Sequence, residues 1–330
     1  MFDLEFLSTQ GLHAPSPVEQ PPAVQVAFEY TVIVPLEAEP QPEAGSDGVA
    51  VQPAARQGPC FVRQRRRRIM TAPAQVARSG RAMYESCDMA SIACVLIHKA
   101  MHATAVRGVS DARRMLVDWM ALVASTCSST FAAPGSQAAP DPTCAACPSL
   151  HAMPRVVFGV LASPLLWPLR THPDVRAVAA AAATSLTPEH CVLWTYPKMT
   201  AWADVDTPLQ QEEGGHEVGI PLSRSAMASA GASIFVIDAL HTVVVYSAAV
   251  PPGQEQQPVP APLGTLLRAR VNGLKDSRGV TPRLLSIRGG IDDVAALETA
   301  LLDEGSVCAV DGDASLAAFM QAVVGVATHE

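Results

Sequence analysis

Proline decides how this chain can be divided. Twenty-eight of its 330 residues are proline, about 8% against an average near 5%. Proline's fixed φ and missing N–H keep it out of helix and sheet interiors. Four stretches combine it with small or polar residues: 37–58, 128–148, 203–217 and 251–262. None has enough apolar surface to offset the entropy of ordering, so each is predicted to be an insertion or linker.

The segments between them can bury a core. Hydrophobic residues make up 49% of the chain and charged residues only 16%, against the roughly 25% usual for soluble domains. The net charge of −8 excludes wholesale coating of nucleic acid. No apolar run reaches the length of a membrane span. The nearest, Val156 to Leu169, is interrupted by Gly159, Pro164 and Pro168. The first residues carry Asp3 and Glu5 and no basic region, which is unlike a secretory signal.

Val24–Leu36 is rich in β-branched and aromatic residues and predicts a strand. Ile69–Pro73 is its expected partner, across the insertion at 37–58. In 83–106, Met89, Ile92, Ala93, Leu96 and Ala100 recur at helical steps. Asp111 is the expected N-cap of a helix running to about Ala124. Residues 151–163 and the alanine-dense 174–185 predict two more helices, and Thr187-Pro188-Glu189 opens a short one reaching Tyr196.

The last third changes character. Ser233–Asp238 and Thr242–Tyr246 predict a hairpin. A helix at 263–274, a strand at 282–288, a helix at 292–303, a strand at 306–310 and a helix at 315–326 follow. That order makes a small α/β layer domain.

Chemistry-bearing motifs are few. The strongest charge feature is Arg63, Arg65, Arg66, Arg67 and Arg68, five arginines in six positions. Such a run fits anionic headgroups, phosphate or an acidic partner, or a solvated strand end whose charges keep an edge unpaired. Cys144 and Cys147 form a CxxC, and His151 adds only a third ligand, where a structural zinc takes four. The eight cysteines are spread along the chain, which fits reduced thiols rather than a disulfide scaffold. His98 and His102 lie one helical turn apart, but Lys99 takes the position where a catalytic glutamate would stand. Arg288-Gly289-Gly290 lies between a strand and a helix, where a tight turn or a phosphate fits. No nucleophile, base and orienting group assemble, so no catalytic residue and no metal site are assigned, and binding is favoured over catalysis.

Several phrases, in order, resemble the C-terminal half of the inner-layer COPII coat subunits. Phe28-Glu29-Tyr30 with Arg67-Arg68-Ile69-Met70-Thr71 is similar to that family's last sandwich hairpin. Asp88–Cys94 resembles the opening of its helical domain, and Met153–Phe158 followed by Ala162-Ser163-Pro164 a later phrase of it. Asp174-Val175-Arg176 and Tyr196-Pro197-Lys198-Met199 resemble its close. Ile234–Tyr246 and Ala314–Met320 resemble the gelsolin-like hairpin and terminal helix.

The resemblance implies a multi-domain α+β chain. A partial β-sandwich occupies 1–75 with the insertion at 37–58, an all-helical domain 76–203, and a gelsolin-like α/β domain 204–330. It implies a non-enzymatic, cargo-adaptor-type subunit in transport from endoplasmic reticulum to Golgi. Its implied partners are the other inner-layer subunit as a heterodimer, the coat GTPase and cargo membrane proteins, with no nucleic acid. Its implied place is the cytoplasm, peripheral on the endoplasmic reticulum membrane and COPII vesicles. No cofactor is expected, because the family's zinc ribbon has no counterpart among these residues. The alternatives are the family's GTPase-activating subunit and a gelsolin-like protein binding actin or phosphoinositide. In the activating branch an arginine lies four residues past the Gly-Gly. Here Val294 holds that position, and the nearest arginine is Arg288.

Overall fold

The computed structural model describes residues 23–35, 61–73, 77–133, 139–167, 172–209, 212–213, 216–217, 219–250, 253, 256–304 and 315–329. The fold is multi-domain α+β, and the chain divides near Arg78 into two units.

The first unit contains one antiparallel hairpin. Strand β1 (Ala23–Pro35) pairs with β2 (Phe61–Pro73) without a register break, from Ala23 opposite Pro73 to Pro35 opposite Phe61. The expected partner strand at Ile69–Pro73 is only its end. The arginine run lies inside β2, because ladder hydrogen bonds to the β-branched β1 hold its backbone extended whatever the side chains are.

The second unit begins with helices. Ser79 caps α1 (Gly80–Glu85), and the Asp88 carboxylate accepts from Ser91 N at 2.8 Å to cap α2 (Met89–Arg107). Gly108, at φ +95°, then turns the chain directly into α3 (Val109–Phe131). Asp111 is therefore not the N-cap expected from the sequence. It lies in the first turn, where its charge suits the helix dipole and pairs with Arg114 at 3.3 Å. The helix also runs seven residues past Ala124, into the stretch 128–148. Thr126, Ser128 and Thr130 turn their hydroxyls onto carbonyls one turn back, which satisfies the polar groups without breaking the helix.

A 3-10 turn at Pro148–Leu150 leads to α4 (Met153–Leu161), α5 (Pro173–Thr184) and α6 (Pro188–Thr195). The Thr187 cap accepts from His190 N, as the Thr-Pro-Glu signal predicts. Leu96, Ile97, Leu116, Met120, Val156, Val157 and Val160 fill the helical core. Crossing helices come close at Gly159, where an added Cβ would lie 2.0 Å from the Thr195 carbonyl oxygen.

The sheet starts inside the range expected to be helical. Strand β3 (Lys198–Asp204) is followed by the two-residue β4 (Thr207–Pro208), and β5 (Glu212–Glu213) pairs separately with β6 (His216–Glu217). After α7 (Arg224–Ala230) come β7 (Ile234–Asp238), β8 (Thr242–Ser247), α8 (Leu266–Asp276), β9 (Arg283–Arg288) and α9 (Ala295–Ala300). The five-stranded order is β4-β3-β7-β8-β9, antiparallel except for the β8–β9 pair.

Both sheet faces are covered, which explains the unbroken apolar runs in β7 and β8. Met199, Phe235, Ile237, Val244 and Ile287 pack with Leu297 of α9 on one face. Trp202, Ile234, Val236, Val243 and Val245 pack with Leu267 and Val271 of α8 on the other. The expected helix over 292–303 is shorter, with a 3-10 turn at Leu302–Glu304 after it. The strand expected at 306–310 lies outside the described residues. The last helix, α10 (Leu316–His329), returns to the helical core. Its Phe319 ring lies 5.8 Å from Phe158 of α4.

Candidate functional site

All five arginines of the candidate site are on β2, and strand alternation divides them. Arg63, Arg65 and Arg67 stand opposite Ile33, Thr31 and Glu29 and share one face. Arg66 and Arg68 stand opposite Tyr30 and Phe28 on the other. Sequence adjacency had hidden this division into two sets.

The two faces differ in chemistry. On the first, Glu29 is the single carboxylate of the two strands. Arg65 Nε lies 3.3 Å from its Oε2, and Arg67 donates to its Oε1. Arg65 and Arg67 keep 80% and 64% of their side-chain surface exposed, so these contacts fix geometry more than they neutralise charge. On the second face, Val26, Phe28, Tyr30, Val62 and Met70 form an exposed apolar surface, with the Phe28 and Tyr30 rings 5.9 Å apart. Arg66 donates to Gln64 Oε1 at 3.2 and 3.0 Å. Arg63 and Arg68 have no side-chain partner among the described residues. Arg66 and Arg68 beside the exposed Phe28 and Tyr30 rings form a surface suited to anionic headgroups, and the opposite face sets three arginines against one glutamate.

The other motifs resolve into structural roles. Arg288 donates from its backbone and guanidinium to the Asp292 carboxylate at 2.8, 3.0 and 2.9 Å. The pairing holds the Asp292 carboxyl down at about 2. Gly289 is packed so closely that a Cβ would lie 2.5 Å from the Tyr246 hydroxyl, and Gly290 sits at φ +78°. The Gly-Gly pair is therefore a filled strand-to-helix turn. His98 Nε2 is buried without a partner among the described residues, and burial lowers its basicity. His102 is exposed. Among the described residues no group of three or more His, Cys, Asp or Glu side chains is arranged to hold a metal ion.

The sequence reading missed what surrounds the CxxC. Cys127 of α3 shares a buried cluster with Cys144 and Cys147, and Cys87 packs against it. No spacing rule joins residues so far apart in sequence.

Residues 88–193 match the Sec23/Sec24 helical domain. Over 318 residues the chain is 31% identical to "Protein transport protein SEC23 D" of Arabidopsis thaliana, covering 93% of this chain and 40% of that protein. The chain thus spans about two fifths of the length of that curated relative. The crystal structure of the human COPII-coat protein Sec24c is similar at TM-score 0.59 and 18% identity, over 81% of this chain and 34% of that one. At that identity the likeness is one of fold.

Proposed function

Because the chain carries the helical domain of the Sec23/Sec24 family, we propose that it acts in the COPII coat as a cargo-adaptor-type subunit. It serves vesicle transport from the endoplasmic reticulum to the Golgi, without chemistry of its own. The helical-domain match carries the coat reading, and the adaptor branch rests on the Tyr196-Pro197 phrase and on Val294 standing where the activating branch has its arginine. The partners it implies are the other inner-layer subunit, the coat GTPase and cargo membrane proteins. Its place is the cytoplasmic surface of the endoplasmic reticulum and the vesicles drawn from it.

The arginine-bearing hairpin supports the membrane part. The face with Arg66, Arg68 and exposed aromatic rings gains from an anionic bilayer through charge and from its interface through the rings, and Arg63, Arg65 and Arg67 make the opposite face cationic as well. The test is two measurements on the whole chain: flotation with phosphatidylserine-containing vesicles, and capture by the full-length inner-layer partner at low and physiological salt. Binding in both supports the reading. Failure of partner capture at both salts overturns it.

A second reading, the GTPase-activating subunit, is favoured by the identity to SEC23 D. Its arginine would have to be Arg288, which Asp292 holds in a bidentate pair. An arginine that stabilises phosphoryl-transfer charge must leave such a pair. GTP hydrolysis by the coat GTPase, measured with the wild-type chain and with Arg288→Ala, separates the two. Stimulation lost in the variant supports the activating reading, and no stimulation supports the adaptor.

A further inference from the structure

Three thiols are packed together under a surface loop of the helical layer. Cys127, in the last turns of α3, is 1% exposed, and Cys144 and Cys147 are 2% and 0% exposed. All three belong to one buried cluster, the Cys147 thiol donates to Tyr84 O at 3.6 Å, and both CxxC thiols act electrostatically on Cys127. Ala145 and Ala146, between the CxxC cysteines, are exposed. The thiols thus lie one residue layer beneath solvent.

The loop that carries them is tied down on several sides. Asp141 N donates to Ser128 Oγ of α3 at 2.8 Å. The Asp141 carboxylate accepts from Thr143 N, Thr143 Oγ1 and Ala145 N at 2.9, 2.6 and 3.0 Å. Cys147 N donates to Cys144 O at 2.9 Å, and Ser149 Oγ donates to Glu85 O at 2.8 Å beside α1. Cys144 takes the left-handed backbone conformation at φ 51°, unusual for a residue with a side chain. These bonds and the turn hold the CxxC loop against α3 beside Ser128, the residue after Cys127.

We propose that Cys127, Cys144 and Cys147 form a thiol–disulfide exchange site, at which a small-molecule disulfide such as oxidised glutathione joins Cys127 to one thiol of the CxxC loop. A CxxC thiolate attacks the oxidant, forms a mixed disulfide and expels one reduced thiol. The Cys127 thiolate then attacks the protein sulfur of that mixed disulfide and expels the second. One disulfide of the oxidant is reduced to two thiols, two protein thiols are oxidised to one disulfide, and the two protein protons end on the released thiols. The bond clamps the loop to α3.

Access sets the rate. Burial, then the neighbouring thiols and the Asp141 carboxylate, push the Cys144 thiol up to about 12 and raise Cys127 in the same direction. Exchange at neutral pH is therefore slow and passes through loop opening.

The test uses the whole chain with Cys60 and Cys308 replaced by serine. It is equilibrated with mixtures of reduced and oxidised glutathione, alkylated and mapped by mass spectrometry without reduction. The expected product is a peptide linked Cys127–Cys144 or Cys127–Cys147. Its formation should raise the melting midpoint by about 5 °C, reversibly with reductant. Cys144→Ser should still form the Cys127–Cys147 link, and Cys127→Ala should form neither link to residue 127. Exclusive glutathione adducts, a link confined to Cys94–Cys191 or Cys144–Cys147, or thiols that stay unreactive with a bound metal would each overturn the proposal.

Discussion

Tyr196 donates its hydroxyl to both carboxylate oxygens of Asp303, at 2.9 and 2.8 Å, across 107 residues of sequence. Asp303 also accepts from Leu222 N at 3.0 Å, and its own N–H donates to Leu222 O at 3.1 Å. The end of the helical layer, the approach to α7 and the turn after α9 meet at this one carboxylate. Burial and the Asp303 charge push the Tyr196 phenol above its ordinary range.

Tyr196→Phe should therefore cost about 1–3 kcal/mol, because Asp303 loses a partly buried donor. Urea denaturation at neutral pH measures it. The sign of the pH effect follows from the raised phenol: the folded state holds that proton more tightly than the unfolded chain. Wild-type stability should fall as pH rises past the ordinary tyrosine value near 10. Tyr196→Phe should lack that part of the slope.

Two helical glycines should respond oppositely to alanine. At Gly159 the new Cβ meets the Thr195 carbonyl oxygen at 2.0 Å, so α4 and α6 must separate. The loss should be roughly 1–3 kcal/mol. At Gly273 in α8 nothing lies within 4 Å, so alanine should gain roughly 0.5–1 kcal/mol from helix propensity. Thermal melts of the two variants give the comparison.

Arg278→Ala should be among the most damaging single changes in the sheet. Arg278 and Asp238 keep only 7% and 10% of their side-chain surfaces exposed, and Arg278 also donates to Leu240 O at the β7–β8 turn. Removing the cation leaves a buried carboxylate alone, at about 3–5 kcal/mol. Replacing both partners with apolar residues should recover much of that loss.

The Asp292 carboxyl should titrate at about 2 by carbon-detected NMR. Its folded value is depressed, so the contribution it makes is present above the unfolded value near 4. That contribution is lost as pH falls from there toward 2. Arg288→Ala should return the titration toward the ordinary range.

Vesicle binding should track the hairpin's free charge. Removing an arginine from the face that meets the bilayer should weaken partitioning to anionic vesicles roughly fivefold, from about 1 kcal/mol per residue near the surface, and removing one from the other face should weaken it less. Glu29→Gln should strengthen it, because Arg65 and Arg67 lose their shared carboxylate. High salt should flatten all of these differences.

Local signals were legible where neighbours in sequence decide structure. The β7–β8 hairpin, the Thr187 cap and the helical phase of Leu96 and Ala100 follow from periodicity and capping chemistry. The extent of α3 was not, because hydroxyls that usually break helices bonded back to their own turns. Nor was β3, whose Met199, Ala201 and Trp202 became a strand by pairing with β7 rather than by a strong local pattern.

The arginine run, the capping signals and the family phrases belong to the sequence alone, since each is a property of consecutive residues. The stretches 128–148 and 203–217, expected as linkers, instead hold the end of α3, two buried cysteines and short strands. Pairings between distant residues belong to the tertiary structure. Packing carries α10 back to the helical core and brings Cys127 and the CxxC into one buried cluster. Those outcomes depend on which surfaces exclude water together, and no local rule encodes that.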